Sequence, residues 1–299
     1  MTDVIFEPVD ALSLERLYRK RLEPVRAVPT HLPTWNVMCR DEGGGKGLAR
    51  GWHITIGGAS GTGKSLFALN LAVHAARAEQ RVGYVSLEMS FDQLVTRSLA
   101  ILSGELVKKL EMGDDFDEEA YLRASADWQN QIPNRIVCNR DPIETWLEIK
   151  EAMGVLYRMG CRFYVIDYIQ LAWVDSDSIL KQITEVSHGV RKLAHKYRLI
   201  TIGISQFNRD PMKMGRAPRI SDLMGGGPLE QDSDQVLLLD FTSYKEQGKG
   251  QATQNLLLAK NRHGPVGKIP IAWDYGTLRV YEVEESDRDV DGEDRKLPF

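Results

Sequence analysis

An α/β fold with a mostly parallel sheet flanked by helices, extended at its C-terminal side by antiparallel strands, is predicted by three features of this 299-residue chain. Apolar runs rich in β-forming residues recur between residues 51 and 206, and segments of helical periodicity separate them. Glycines crowd the first strand-to-helix junction of that series: nine of the 26 lie between Gly43 and Gly63. After residue 233 the spacing shortens to strands joined by turn sequences such as NRHGP and YGT.

In chain order, residues 10–23 (DALSLERLYRKRLE) open with an acidic cap and repeat Leu14, Leu17, Tyr18 and Leu22 at helical spacing. Pro24, Pro29 and Pro33 then predict an extended arm outside the main domain, so the helix has little core of its own and is expected to fold back or pack on a neighbouring subunit. WHITIG reads as a strand, SLFALNLAVHAARA as a helix and RVGYVSLE as a second strand. A helical region with an acidic insert follows to about Trp128, then strand RIVC, helix PIETWLEIKEAMGVLYRMG, strand FYVIDYIQLA, helix ILKQITEVSHGVRKLAHKY and strand LITIGISQ. DQVLLLDF, QNLLLAKN, GKIPIAW and LRVYEV complete the sheet. The division expected is an N-terminal helix and arm over 1–44, one α/β domain over 45–283, and an acidic, disordered tail over 284–299.

Composition narrows the function classes. Apolar residues at 42% and charged residues at 27% describe a soluble globular chain. The net charge of -4 excludes binding of nucleic acid through overall basicity, but not through a local basic patch. Residues 281–299 carry eight acids against three bases, which leaves the preceding 280 residues at +1. That tail reads as a solubilising end, or as a docking segment. Cys39, Cys138 and Cys161 form no close pair and are expected as buried thiols. The six histidines are dispersed without metal-ligand spacing, and Trp35, Trp52, Trp128 and Trp146 read as structural. No apolar run approaches membrane-spanning length and the start MTDVIFEPVD lacks a signal-peptide core, so a cytoplasmic protein is expected.

GGASGTGKS carries the chemistry. Gly58, Gly63, Lys64 and Ser65 match G-x-x-x-x-G-K-[ST] between a strand and a helix, where successive amides of Gly58, Ala59, Ser60, Gly61, Thr62 and Gly63 can converge on phosphate oxygens. Lys64 would reach the β- and γ-phosphates of ATP, and Ser65 would offer an oxygen to Mg²⁺. Asp167, ending the apolar strand FYVID, supplies a second anchor for that cation or else caps the next turn. Glu88, at the carboxyl end of the strand VGYVSLE, is placed to activate water or to cap the following helix. Gln206 at the end of LITIGISQ suits an uncharged sensor of the γ-phosphate, or is an ordinary strand-end polar residue. Lys260 and Arg262 share one face of a strand end. They would serve as a lysine–arginine finger if that edge meets the next subunit's nucleotide, and otherwise form a solvated basic edge. FNRDPMKMGRAPRI sets Arg209, Lys213, Arg216 and Arg219 against Asp210 alone, a basic loop suited to single-stranded DNA or a plain surface loop. Gly226 and Gly227 follow it and would offer backbone N–H groups.

Together these stretches resemble the RecA-like P-loop motor domain of the DnaB-type hexameric replicative helicases. GGASGTGKSLFALNLA, SLEMSFDQLVTRSLAILSG, FYVIDYIQLA, ISQFNR, RISDLM, LEQDSDQVLLL and AKNRHGPVGKI occur in family order. The resemblance implies Glu88 as catalytic glutamate, Asp167 as magnesium carboxylate, Gln206 as γ-phosphate sensor, and Lys260 and Arg262 acting in trans. It further implies a hexameric ring on single-stranded DNA, moving 5′ to 3′ and hydrolysing ATP with Mg²⁺ between subunits. Two departures stand out. Only nine residues precede the first helix, where the family carries an N-terminal collar, so no collar-borne primase or loader contact is expected. SDLMGGGPLEQD also replaces the family's SDLRESGAIEQD, putting Met224 and Gly225 where an arginine and a glutamate are usual. A filament-forming recombination ATPase and a non-motor ATP-binding scaffold remain as alternatives.

Overall fold

The computed structural model describes residues 27–39, 44–167, 169–174, 178–208, 211, 213–248 and 250–283; the helix expected over 10–23, Arg209, and the tail over 284–299 lie outside the described residues. Nine strands form one sheet. They are β1 (His53–Gly58), β2 (Val82–Ser86), β3 (Ile136–Cys138), β4 (Phe163–Asp167), β5 (Ile200–Gln206), β6 (Gln235–Gly248), β7 (Gln251–Asn261), β8 (Gly267–Asp274) and β9 (Arg279–Glu282). Their order is β3-β2-β4-β5-β1-β6-β7-β8-β9. Pairing is parallel from β3 to β6 and antiparallel from β6 to β9. The fold is thus the expected one, with β6 serving as both the last parallel strand and the first of the antiparallel meander.

Helices α1 (Pro33–Met38), α2 (Lys64–Arg77), α3 (Phe91–Ser103), α4 (Val107–Leu110), α5 (Glu118–Gln131), α6 (Trp146–Arg158), α7 (Ile179–Tyr197) and α8 (Gly226–Asp232) complete the fold. β1, β2 and β4 are buried at every position because helices cover both faces, which explains their unbroken apolar runs. One core includes Phe67, Leu71, Val82 and Ile202, and the other includes Ile149, Ile166, Val186 and Leu238. Local signals set helix starts: Ser90 with Gln93 and Thr145 with Glu148 form capping boxes for α3 and α6.

Three expectations change. First, residues 27–39 do not form an arm outside the domain. Val28 bridges Leu48, Leu32 and Trp35 are fully buried in the first core, and the Trp35 indole donates to Gln235 Oε1 at 3.1 Å. Pro33 begins α1 rather than extending the chain, since a proline at the first helical turn loses no needed hydrogen bond. Second, β2 and β4 are shorter than expected, ending at Ser86 and Asp167, and a 3₁₀ turn over Ile169–Leu171 follows β4. Third, the β6–β7 hairpin runs beyond Phe241 to Gly248, where most residues face solvent and apolar alternation fades. No helix among the described residues is long and apolar enough to cross a membrane.

His53, inside β1 and 0% exposed, gives the domain a built-in acid limit. Its Nδ1 lies 2.9 Å from Thr201 Oγ1, and burial lowers its pKa from 6.5 to about 4. The neutral ring therefore contributes stability that is present above pH 6.5 and lost as pH falls through about 4. The loss amounts to about 3 kcal/mol. Denaturant unfolding at stepped pH should show this decline in the wild type and a shallower one in His53→Gln; parallel curves would remove His53 as its source.

Candidate active site

The carboxyl edge of the parallel strands gathers most of the residues singled out by sequence. β1 ends at Gly58, and the chain curls through Gly61 (φ +73°) and Gly63 (φ +85°) into α2. A methyl group on Gly58 would lie 2.6 Å from Thr62 Oγ1, and one on Gly63 2.7 Å from the Trp273 ring, so the loop has room only for backbone there. No acidic side chain occupies the first turn of α2, which leaves its amide end open to an anion. Lys64 folds back so that Nζ donates to Ala59 O at 2.6 Å. Burial pushes its pKa down while the charges of Asp167 and Glu88 oppose that shift.

Asp167 ends β4 and is fully buried beneath this loop. Ser65 Oγ donates to its Oδ1 at 3.0 Å, and the Tyr84 hydroxyl donates to Oδ2 at 2.9 Å. Burial raises the Asp167 pKa to about 6 despite these two bonds. Ser65 and Asp167 thus pair a hydroxyl with a carboxylate directly below an amide-rich loop. Among the described residues no cluster of three His, Cys, Asp or Glu side chains could hold a metal by itself. The pair fits Mg²⁺, which takes one or two protein oxygens and completes its shell with phosphate and water.

Glu88 stands two residues beyond β2, exposed, in a tightly fixed bend. Leu87 N donates to Asp167 O at 2.7 Å, and Ser86 Oγ both donates to Met89 O at 2.7 Å and accepts from Met89 N at 2.9 Å. The helix that follows is capped by Ser90, so Glu88 is not its cap. Gln206 ends β5 directly beside Gly58, and Phe207 N donates to Gly58 O at 3.1 Å. A recess of about 150 Å³ adjoins the loop, walled by Phe207, Pro218, Leu239 and Phe241.

Lys260 and Arg262 lie elsewhere. Gln235 pairs with both Ile54 and Asn261, which puts the pair at the opposite end of the sheet from Gly58. The separation is about 13 Å along β1, beyond reach of the same chain's loop. They are not a freely solvated edge either. Arg262 Nη1 donates to Asp234 Oδ1 at 3.2 Å and Nη2 to Gln231 O at 2.6 Å, while Lys260 Nζ donates to Glu230 O.

The basic segment after β5 is less available than its composition suggests. Arg216 is bound in a fork to Asp222 (2.8 and 2.7 Å), which holds that carboxyl below its usual range. Gly226 N–H already donates to Leu223 O at 3.0 Å, and a methyl group there would lie 2.6 Å from Ile220 O, so this glycine serves packing. Lys213 and Arg219 are exposed, and Gly227 has open space around it. Sequence reasoning missed Tyr84 because its bond to Asp167 depends on β2 lying next to β4. It also missed Asp234, whose carboxylate accepts from His53 N at 2.9 Å as well as from Arg262.

A family model described as the DnaB-like helicase C terminal domain matches residues 42–282. The chain belongs to this family. A probable plasmid replicative DNA helicase of Chlamydia psittaci is 29% identical to this DnaB-like domain over 223 residues, covering 73% of the chain and 49% of the relative. The chain therefore spans about half the length of the curated relatives it matches. Among solved structures, one described as an ATPase domain superposes with a TM-score of 0.77 at 24% identity, covering 93% of this chain and 100% of that one. A DnaB-like replicative helicase studied with primase gives 0.75 at 24% identity, over 95% of this chain and 69% of that one. At these identities the solved structures establish the DnaB-like fold of the domain.

Proposed function

We propose that this chain is the motor of a Mg²⁺-dependent ATPase that assembles as a hexameric ring and translocates 5′ to 3′ on single-stranded DNA as a helicase. The motor occupies residues 45–283, with 27–39 packed into its core. The observation that carries the reading is the division of charge between the two ends of the sheet. Lys64, Ser65, Asp167 and Glu88 gather at one end, and Lys260 and Arg262 are held ready at the other. Ring closure would bring the finger of one subunit to the loop of the next, completing a site that one copy holds only in part.

In that site the amides of 59–65 and the Lys64 ammonium bind and orient the phosphates, and Ser65 and Asp167 would hold the cation. Bound Mg²⁺ neutralises charge on the phosphate oxygens. Glu88 orients the attacking water and accepts its proton, with its bend fixed by Ser86 and by the Asp167 carbonyl. Gln206 touches the γ-phosphate without repelling it and passes its state to the adjoining segment, since Met224 N donates to Gln206 O at 2.9 Å. Lys213, Arg219 and Gly227 on that segment remain as DNA contacts, with Arg209 beside them in sequence, while Arg216 and Gly226 shape it.

The test is unwinding of forked duplexes of both polarities, with turnover and assembly state recorded on the same sample. A closed ring that opens only forks bearing a free 5′ single-stranded arm, with DNA-stimulated hydrolysis, is the expected result. An open filament on DNA, or turnover indifferent to DNA, would replace this reading with a recombination ATPase or a non-motor scaffold respectively.

A further inference from the structure

The end of the sheet opposite the Gly58–Ser65 loop carries a row of arginines. Each of the first five parallel strands in spatial order is preceded by one: Arg135 before β3, Arg81 before β2, Arg162 before β4, Arg198 before β5 and Arg50 before β1. Backbone bonds tie them into one line, with Val82 N donating to Arg135 O (2.7 Å), Arg162 N to Arg81 O (3.1 Å), Ile200 N to Arg162 O (2.9 Å) and Gly51 N to Leu199 O (2.9 Å). At the usual strand spacing the row is about 20 Å long. Arg158 and Lys196, at the ends of α6 and α7, add to it.

Among the described residues none of these seven side chains pairs with a carboxylate. Burial and the nearby charges of Arg162 and Arg198 push the Arg50 guanidinium below its usual range. Part of the row serves the fold: Arg162 Nη1 donates to Tyr157 O and Cys161 O, and Arg135 Nη1 to Glu79 O. Basic residues also favour helix C-termini. Arg158 and Arg198 stand at such ends and Arg81 does not, yet all three are exposed and their guanidinium groups donate to nothing among the described residues.

Aromatic rings interleave with the charges. The Arg162 guanidinium sits 3.8 Å above the Tyr157 ring, Tyr157 and Tyr197 are 5.2 Å apart between centroids, and Lys196 Nζ is 5.2 Å from the Tyr197 ring. Tyr197 is 39% exposed. Cations at strand spacing beside an exposed tyrosine suit a single strand, whose phosphates pair with the arginines and whose bases stack. An acidic peptide would use the charges but not the ring.

We propose that this edge is a second nucleic-acid surface, on which single-stranded DNA lies with its phosphates along the arginine row and a base on Tyr197. It is separate from the segment after β5 and does not depend on that segment's role.

The test uses the full chain carrying Arg209→Ala, Lys213→Ala and Arg219→Ala, which removes the cations assigned to the other surface. In that background Arg81→Gln, Arg158→Gln and Arg198→Asn are added together; asparagine suits the left-handed backbone at 198 (φ +51°). Fluorescence anisotropy of a labelled oligothymidine over a salt series should show at least about tenfold weaker binding. The slope of log affinity against log salt should be shallower by about 2, near 0.7 per phosphate lost. Turnover without DNA, set by other residues, should be unchanged. An oligonucleotide with 5-iodouracil should photocross-link to Tyr197, and Tyr197→Ala should abolish that adduct. Unchanged affinity and slope, cross-links confined to residues away from 196–198, or loss of polyglutamate binding with DNA binding intact would each overturn the proposal.

Discussion

Lys64→Ala is expected to lower ATP hydrolysis by about 10³-fold, the scale of losing a preorganised charge on a transferred phosphoryl group. The structure gives this residue nothing else to do. Its ammonium is held under the loop by one carbonyl, Ala59 O, and is attracted by Asp167 and Glu88 without a direct bond to either. Alanine is a good helix former at the first position of α2, and its introduction removes a buried charge, so the fold should persist with an unchanged or slightly higher Tm. Binding of a fluorescent ATP analogue should weaken together with turnover. Phosphate release within tenfold of wild type would mean that the loop does not hold the reacting phosphates.

Arg262→Ala should lose turnover just as heavily, by about 10³-fold or more, but with nucleotide affinity nearly unchanged. The split follows from position: Arg262 is at the far end of the sheet from its own loop and can act only on a neighbour's. The substitution also removes one donor from Asp234, which keeps the His53 amide at 2.9 Å and Arg191 at 3.8 Å, so a stability loss of about 1 kcal/mol is expected. Arg262→Lys is the informative companion. It preserves charge but not the fork that joins Asp234 and Gln231, and should recover stability better than turnover. Equal loss of affinity and turnover in Arg262→Ala would place the residue in ground-state binding instead.

The parallel sheet and its loop were legible because burial on both faces writes β1, β2, β4 and β5 as unbroken apolar runs, and because GGASGTGKS falls between two of its elements. Other features depend on which strands become neighbours. Tyr84 reads as one more apolar residue of VGYVS until β2 lies beside β4 and its hydroxyl meets Asp167. The arginine row is scattered over nearly 150 residues of sequence, from Arg50 to Arg198, and becomes a line only through the order β3-β2-β4-β5-β1. Arg216 shows the converse. Composition made it a free cation, whereas Asp222, six residues away, takes both ends of its guanidinium. The prolines misled for a local reason, since Pro33 starts a helix whose Trp35 is buried against Gln235, some 200 residues distant.

If each site is completed by a second copy of the chain, Lys64→Ala and Arg262→Ala subunits should rescue one another on co-assembly. Each variant alone should be nearly inactive. In mixed assemblies roughly a quarter of interfaces would join an intact loop to an intact finger. Turnover well above the sum of the two separate variants is expected. Turnover that stays at that sum, with mixed assembly verified on the same sample, would contradict completion of the site by a second copy.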